Sequence, residues 1–167
     1  MNVEQNQIAL FTPLLFGFAM MVLTLVIHAL TAFSAIALIQ SQFQSGRAGI
    51  RTSRDVPLTA LCVMMFMCAC LLEMAVWAVG LMTIGEFHAF APAFYHSAVN
   101  YTTLGYGDIL MSPRWRLLGP LESTVGMLMF GLSTALLFAI IIRLAQLRGR
   151  GRDFWDIDEP SRETSER

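Results

Sequence analysis

Three long apolar segments constrain the fold of this chain more than any other feature of its sequence. They run from about Ile8 to Ile39, from Pro57 to Ile84 and from Trp115 to Ala145. A helix needs about 20 apolar residues to cross the hydrocarbon core of a bilayer, and each segment is longer than that. Because lipid cannot satisfy backbone polar groups, the sequence predicts an all-α integral membrane protein.

The composition agrees with insertion into a bilayer. Hydrophobic residues make up 56% of the 167 residues and charged residues 14%, whereas soluble domains carry about 25% charged residues. These values argue against a water-soluble globule, a secreted disulfide scaffold and a disordered chain. Every basic residue is Arg, and no isolated basic tract is present. We therefore expect the lipid bilayer, and no nucleic acid, as a partner.

The region 85–114, between the second and third segments, is too polar to cross the membrane. Within it, Ala91–Tyr101 is predicted to form a short helix, with Pro92 in its first turn. Eleven residues reach only about 16 Å, which is typical of a re-entrant half-helix. Such a segment is tolerated at membrane depth only where protein buries it or water lines it.

The distribution of arginines predicts the topology. Six of them lie between the first two apolar segments or directly after the third: Arg47, Arg51, Arg54, Arg148, Arg150 and Arg152. The positive-inside rule places the loop 41–56 and the C-terminus in the cytoplasm. Three spans then place the N-terminus and the region 85–114 outside. The charged tail 148–167 lacks hydrophobic periodicity, which predicts disorder.

The segment Thr102–Asp108, with the sequence TTLGYGD, lies between the predicted half-helix and the last apolar segment. It strongly resembles the selectivity-filter signature T-x-G-Y-G-D of potassium channels, and we refer to it as the filter segment. A potassium ion sheds its water only where other oxygens replace it, and four strands around an axis can supply rings of carbonyls. Pointing successive carbonyls to one side requires left-handed φ values, which Gly105 and Gly107 adopt without a Cβ penalty.

The resemblance extends over about residues 57–147. The stretch from Leu121 to Ala139 looks like the inner helix of prokaryotic inward-rectifier potassium channels. The resemblance implies a homotetramer in which each chain supplies an outer helix, a half-helix, a filter and an inner helix. The pore domain at 57–147 would follow an N-terminal transmembrane helix at 1–40.

The resemblance also implies which residues bind the ion and which support them. The ion-binding residues, with the Thr hydroxyl as an additional ligand, are Thr103, Leu104, Gly105, Tyr106 and Gly107. The expected supporting residues are Thr102, Asp108, Val99, Tyr95, His96, Glu122 and Glu73. Tyr106 is expected to face away from the ions and brace the strand. Permeant K⁺ is the only cofactor expected, and no small-molecule substrate is expected.

The chain departs from the family pattern at the outer end of the filter. Some relatives carry a glutamate, hydrogen-bonded to the filter-end aspartate, where this chain has Val99. They often carry a Trp pair where this chain has Tyr95 and His96. We therefore expect Asp108 to bond to Tyr95 or His96 instead.

Two carboxyls lie inside apolar segments, where an ionisable group indicates a function by default. Helical rise places Glu122 roughly 10 Å and Glu73 roughly 16 Å from the outer ends of their segments. Both are therefore expected behind the filter, hydrogen-bonded to donors such as Ser97, Asn100, Tyr101 or Thr102. The alternatives are protonated carboxyls without effect on conduction, or direct ion ligands. His28 is interpreted as a packed polar residue in preference to a proton sensor.

Four residues of the last segment suggest a hinge or a gate. Gly126 and Gly131 allow either bending or close helix packing. Phe130 and Phe138 could form a hydrophobic constriction or pack between helices. Phe130 also occupies the position where strongly rectifying relatives carry an acidic residue, so strong inward rectification is not expected.

The sequence therefore predicts a potassium-selective channel, not an enzyme. We place it in the cell inner membrane, because the all-Arg composition is typical of GC-rich bacteria. The alternatives are a non-selective cation channel and a non-conducting regulatory membrane subunit. A membrane enzyme would have to depend on Glu73 and Glu122 alone, since the sequence contains no nucleophile–base pair, metal-ligand cluster or phosphate loop.

Overall fold

The computed structural model describes residues 10–45 and 52–149, and this part of the chain is helical, without strands. Its helices are α1 (Phe11–Gln44), α2 (Thr52–Thr83), α3 (Phe90–Tyr101) and α4 (Leu118–Gly149). The prediction of an all-α membrane protein is confirmed. Part of the predicted loop and nearly all of the predicted tail lie outside the described residues.

Among the described residues, three helices are long and apolar enough to cross a membrane. The candidate spans are 11–42, 55–83 and 118–146, with mean hydropathies between 2.2 and 2.4. By contrast, α3 has 12 residues, a length of about 18 Å, and matches the predicted half-helix. Helix α2 begins at Thr52, five residues before the predicted start at Pro57. The difference arises because hydropathy marks the edge of the apolar stretch, whereas a helix can continue through polar residues.

The half-helix and the N-terminal helix pack against the same two partners. Helix α3 contacts α2 and α4, and α1 also contacts α2 and α4. Close backbone approach is visible where α4 passes the end of α3. A Cβ built on Gly126 would lie 2.1 Å from the carbonyl oxygen of Tyr101. Glycine at this position therefore lets α4 lie directly against the start of the filter segment.

Two clusters of buried apolar side chains hold the helices together. The first includes Met20, Cys70, Met74, Trp77, Leu81, Tyr101, Leu118, Val125 and Met129. The second contains Ala35, Ile39, Cys62, Phe66, Ile140 and Leu144. Because lipid tails are as apolar as these side chains, van der Waals packing and interhelical hydrogen bonds stabilise the bundle. Along α1 and α4, the buried residues between the two clusters include the polar His28 and Ser133.

Candidate functional site

The filter segment starts at the carboxyl end of α3, and backbone hydrogen bonds attach it to the last turn of the helix. The Thr103 N–H donates to the Asn100 carbonyl at 2.8 Å, and the Gly105 N–H donates to the Val99 carbonyl at 3.2 Å. Val99, whose side chain is buried, thus supports the segment through its carbonyl. The negative end of the helix dipole lies at this junction, where it favours a cation.

Three alternate residues of the filter segment have a positive φ. The angles are 62° at Thr103, 58° at Gly105 and 72° at Gly107, whereas Leu104 and Tyr106 keep ordinary values. Such alternation turns successive carbonyls toward the same side of the strand. The left-handed conformation was predicted for both glycines and is confirmed. It was not predicted for Thr103, where it costs about 1–2 kcal/mol.

The filter segment is uncovered in the single chain. The side chains of Leu104 and Tyr106 are 57% and 66% exposed. An irregular strand at membrane depth is tolerated only where protein buries it or water lines it. The exposed side chains are therefore available for packing against further protein.

The outer end of the segment is held by one of the two predicted partners of Asp108. The Tyr95 O–H donates to Asp108 Oδ2 at 2.7 Å. This bond stabilises the carboxylate and lowers the pKa of Asp108, and it raises the pKa of Tyr95. The predicted link from Asp108 to the half-helix is therefore present, and it runs through the tyrosine.

His96, the other candidate partner of Asp108, bonds to Asn100 in its own helix and to the backbone of Ile109. Its Nε2 accepts from the Asn100 side-chain amide at 2.8 Å, and its ring lies 5.1 Å from the Phe87 ring, between centroids. Only 6% of the residue is exposed, and this burial lowers the pKa of His96. Burial therefore favours the neutral imidazole, against the opposing effects of Asp108 and Glu86.

Glu122 of α4 is fully buried against α3. A hydrogen bond joins its Oε1 to the hydroxyl of Ser97, which also bonds to the Met74 carbonyl at 2.9 Å. Its Oε2 has no partner among the described residues. An ionised carboxylate would leave that oxygen charged and unsatisfied away from water, which is costly. A neutral carboxyl that donates to Ser97 frees the serine proton for Met74 and avoids this cost.

Glu73 of α2 is also fully buried. Its Oε2 accepts from the hydroxyl of Tyr101, the last residue of α3. Ser97 and Tyr101 are thus two of the four predicted donors. The other two bond elsewhere: the Thr102 hydroxyl donates to Ala98 and the Asn100 amide to His96.

The second oxygen of Glu73 reaches a residue that the sequence did not connect to the site. Its Oε1 lies 3.0 Å from Nδ1 of His28 on α1, and His28 is 1% exposed. The expectation of a packed polar residue is met, but the pairing was missed. The only sequence signal was that His28 is the single titratable side chain of the first apolar segment.

The hinge and gate candidates of α4 differ in their surroundings. Gly126 faces the Tyr101 backbone, whereas a Cβ on Gly131 would meet nothing within 4 Å. Close packing therefore explains Gly126 and does not explain Gly131. The Phe130 ring lies edge-on to the Tyr101 ring at 5.6 Å between centroids. Phe138 is 55% exposed.

Comparison with known proteins identifies the same region. A protein-family model described as an ion channel matches residues 58–143. Comparisons with curated proteins and with solved structures found no match. The matched segment contains the half-helix, the filter segment and most of α2 and α4, and it leaves α1 outside. Since it covers about half of the chain, this membrane protein belongs to the ion channel family.

Proposed function

We propose that the protein is a potassium-selective channel that passes K⁺ down its electrochemical gradient through a filter at the centre of a homotetramer. The observation that carries this proposal is the alternation of positive φ at Thr103, Gly105 and Gly107. It occurs in a TTLGYGD segment at the carboxyl end of a half-helix. Rings of carbonyls from such strands replace the hydration shell of K⁺.

In this mechanism the protein performs no covalent chemistry. Oxygens of Thr103, Leu104, Gly105 and Tyr106 take the place of water around the ion, and the Thr103 hydroxyl contributes at the inner end. Repulsion between adjacent ions helps each ion to leave. The hydrogen bonds at Asp108, Glu122 and Glu73 hold the strand in shape. The permeant K⁺ is the only ion or cofactor that the mechanism requires.

A single chain supplies one quarter of such a filter. The exposure of Leu104 and Tyr106, 57% and 66%, supports assembly, because neighbouring chains would bury these side chains. A closed four-fold ring provides the required symmetry. In the proposed arrangement the outer end of the filter lies on the external side of the cell inner membrane. The arginine-bearing loop and the C-terminus face the cytoplasm.

A non-selective cation channel is the second candidate. It is favoured by Val99, which offers no carboxyl to the filter-end Asp108, so this link depends on Tyr95. A filter that is less firmly held would widen and admit Na⁺. The two candidates agree on a conducting pore and differ in the ratio of K⁺ to Na⁺ permeability.

A matched pair of glycine variants tests the role of the filter backbone. Gly105 and Gly85 both have a positive φ, 58° and 82°, and a Cβ on either would meet nothing within 4 Å. Gly105→Ala and Gly85→Ala therefore impose a similar conformational cost, about 1–2 kcal/mol, inside and outside the filter. We expect Gly105→Ala to abolish uptake of radioactive Rb⁺ into K⁺-loaded proteoliposomes and Gly85→Ala to retain it. Equal uptake by the two variants would contradict the proposal.

A further inference from the structure

We propose that His28 of α1 is a positioning residue for the filter, acting through Glu73 and Tyr101. This inference rests on the proposed function and extends it to a helix that lies outside the matched channel segment. It assigns α1 a role in conduction, in addition to packing. The chain of contacts runs from α1 through α2 to the end of α3.

The contacts form a continuous buried path. His28 Nδ1 lies 3.0 Å from Glu73 Oε1, and Glu73 Oε2 accepts from the Tyr101 hydroxyl. The exposed fractions of the three residues are 1%, 0% and 0%. Buried polar networks in which each group has a partner are rigid, and they specify one arrangement.

The path ends where the filter begins. Tyr101 is the last residue of α3, directly before Thr102 and Thr103. Its carbonyl oxygen lies against Gly126, where even a Cβ would be only 2.1 Å away. The Tyr101 backbone is therefore fixed against α4, and its hydroxyl is fixed by Glu73. When the Tyr101 ring changes position, the backbone has no room to adjust locally, so the change reaches the first carbonyls of the filter.

The other nitrogen of His28 joins α4 to the same network. Nε2 lies 3.1 Å from the Ser133 hydroxyl oxygen, and this hydroxyl donates to the Met129 carbonyl at 2.9 Å. Since the single hydroxyl proton is used there, Nε2–H donates to Ser133.

Thr24 provides a matched control on the same helix. It lies one turn before His28, is fully buried, and accepts from the Trp77 indole N–H of α2 at 2.9 Å. Its own hydroxyl donates to the Met20 carbonyl of α1. Thr24 therefore attaches α1 to α2 as His28 does, but the hydrogen bonds of the described residues do not extend from it to α3.

Two conservative substitutions distinguish the roles of the two ring nitrogens of His28. An Asn side chain places a polar atom near the position of Nδ1, and a Gln side chain places one near the position of Nε2. His28→Asn therefore retains a partner for Glu73, whereas His28→Gln retains one for Ser133. Both variants keep a polar group of similar size in the membrane, so general destabilisation does not distinguish them.

The test measures the ratio of K⁺ to Na⁺ permeability in planar bilayers containing the full-length protein. We expect His28→Gln to lower the ratio about tenfold, the size implied by one buried hydrogen-bonding group left unpaired. His28→Asn and Thr24→Val should stay close to the wild type. Equal ratios in His28→Asn and His28→Gln would overturn the inference.

A second set of variants keeps the inference testable if a His28 variant fails to assemble. Tyr101→Phe removes the last link and should lower the ratio as His28→Gln does, whereas Ser133→Ala should not. In the double variant His28→Gln/Tyr101→Phe the losses should not add, because both changes break the same path. A wild-type ratio in Tyr101→Phe, or additive losses, would overturn the inference. A wild type that does not select K⁺ would instead refute the proposed function, and this inference with it.

Discussion

At the scale of single residues, Thr103 shows what the filter conformation requires. A β-branched residue with a φ of 62° is strained, and glycine would adopt this angle freely. The strain is compatible with function because the proposed filter uses both the carbonyl and the hydroxyl of Thr103. The sequence predicted the left-handed glycines, since glycine favours that conformation. It gave no such indication for Thr103, whose conformation depends on its attachment to α3.

His96 predicts a pH dependence of stability. Burial lowers its pKa in the folded protein, so the unfolded chain binds the proton more tightly than the folded chain. Stability therefore falls as the pH drops below the unfolded value of about 6.5 toward the lower folded value. Protonation also removes the acceptor that the Asn100 amide uses.

His96→Gln keeps an acceptor near the position of Nε2 and does not titrate. We expect the thermal midpoint of the wild type to decrease as the pH is lowered from about 7.5 to about 5.5. The decrease should be smaller in His96→Gln. Thermal unfolding in detergent micelles at a series of pH values measures this difference. Parallel curves for the two proteins would show that His96 does not cause the dependence.

At the scale of elements, much of the architecture was predictable because membrane helices have strong composition signals. The predicted half-helix starts within one residue of α3, and the three spans correspond to α1, α2 and α4. The pairing of His28 with Glu73 was not predictable, because 45 positions separate the two residues. Such contacts depend on how helices rotate and pack, which local patterns do not determine. The contacts of Glu122 and Glu73 with α3 could be predicted, because the helical rise gives the depth of each carboxyl in the membrane.

Gly126 and Gly131 of α4 should respond in opposite ways to the same substitution. Gly126→Ala places a Cβ 2.1 Å from the Tyr101 carbonyl oxygen, and relieving such an overlap typically costs about 1–3 kcal/mol. Gly131→Ala meets no atom within 4 Å and should stabilise the helix by up to about 1 kcal/mol. Thermal unfolding of the purified oligomer compares the two. A stable Gly126→Ala variant would show that α4 does not lie against the filter support.

At the scale of the whole molecule, the proposed channel requires more than the single chain. Its filter segment is exposed, as the 57% and 66% exposure of Leu104 and Tyr106 shows. By contrast, the support behind the filter is assembled within one chain, from α1, α2, α3 and α4. Assembly is therefore expected to complete the ion path, while each protomer already carries the contacts that hold its own strand.

Bound K⁺ should stabilise the assembled protein, because the proposed filter forms only in the folded state and the unfolded chain offers no such site. At a concentration of about 100 times the dissociation constant, this stabilisation is about 2.7 kcal/mol. We expect the proposed tetramer to dissociate at a lower temperature when choline replaces K⁺, and Gly105→Ala to lose this difference. Native gel electrophoresis after heating measures the dissociation temperature.

The same gels give the number of chains in the oligomer. A stoichiometry other than four would favour the non-conducting subunit.

The most direct test of a potassium-selective pore is the reversal potential of the wild-type protein in a planar bilayer, with K⁺ on one side and Na⁺ on the other. A selective filter predicts a reversal potential strongly displaced toward the K⁺ equilibrium value. A reversal potential near zero with open channels would contradict potassium selectivity and establish a non-selective cation pore.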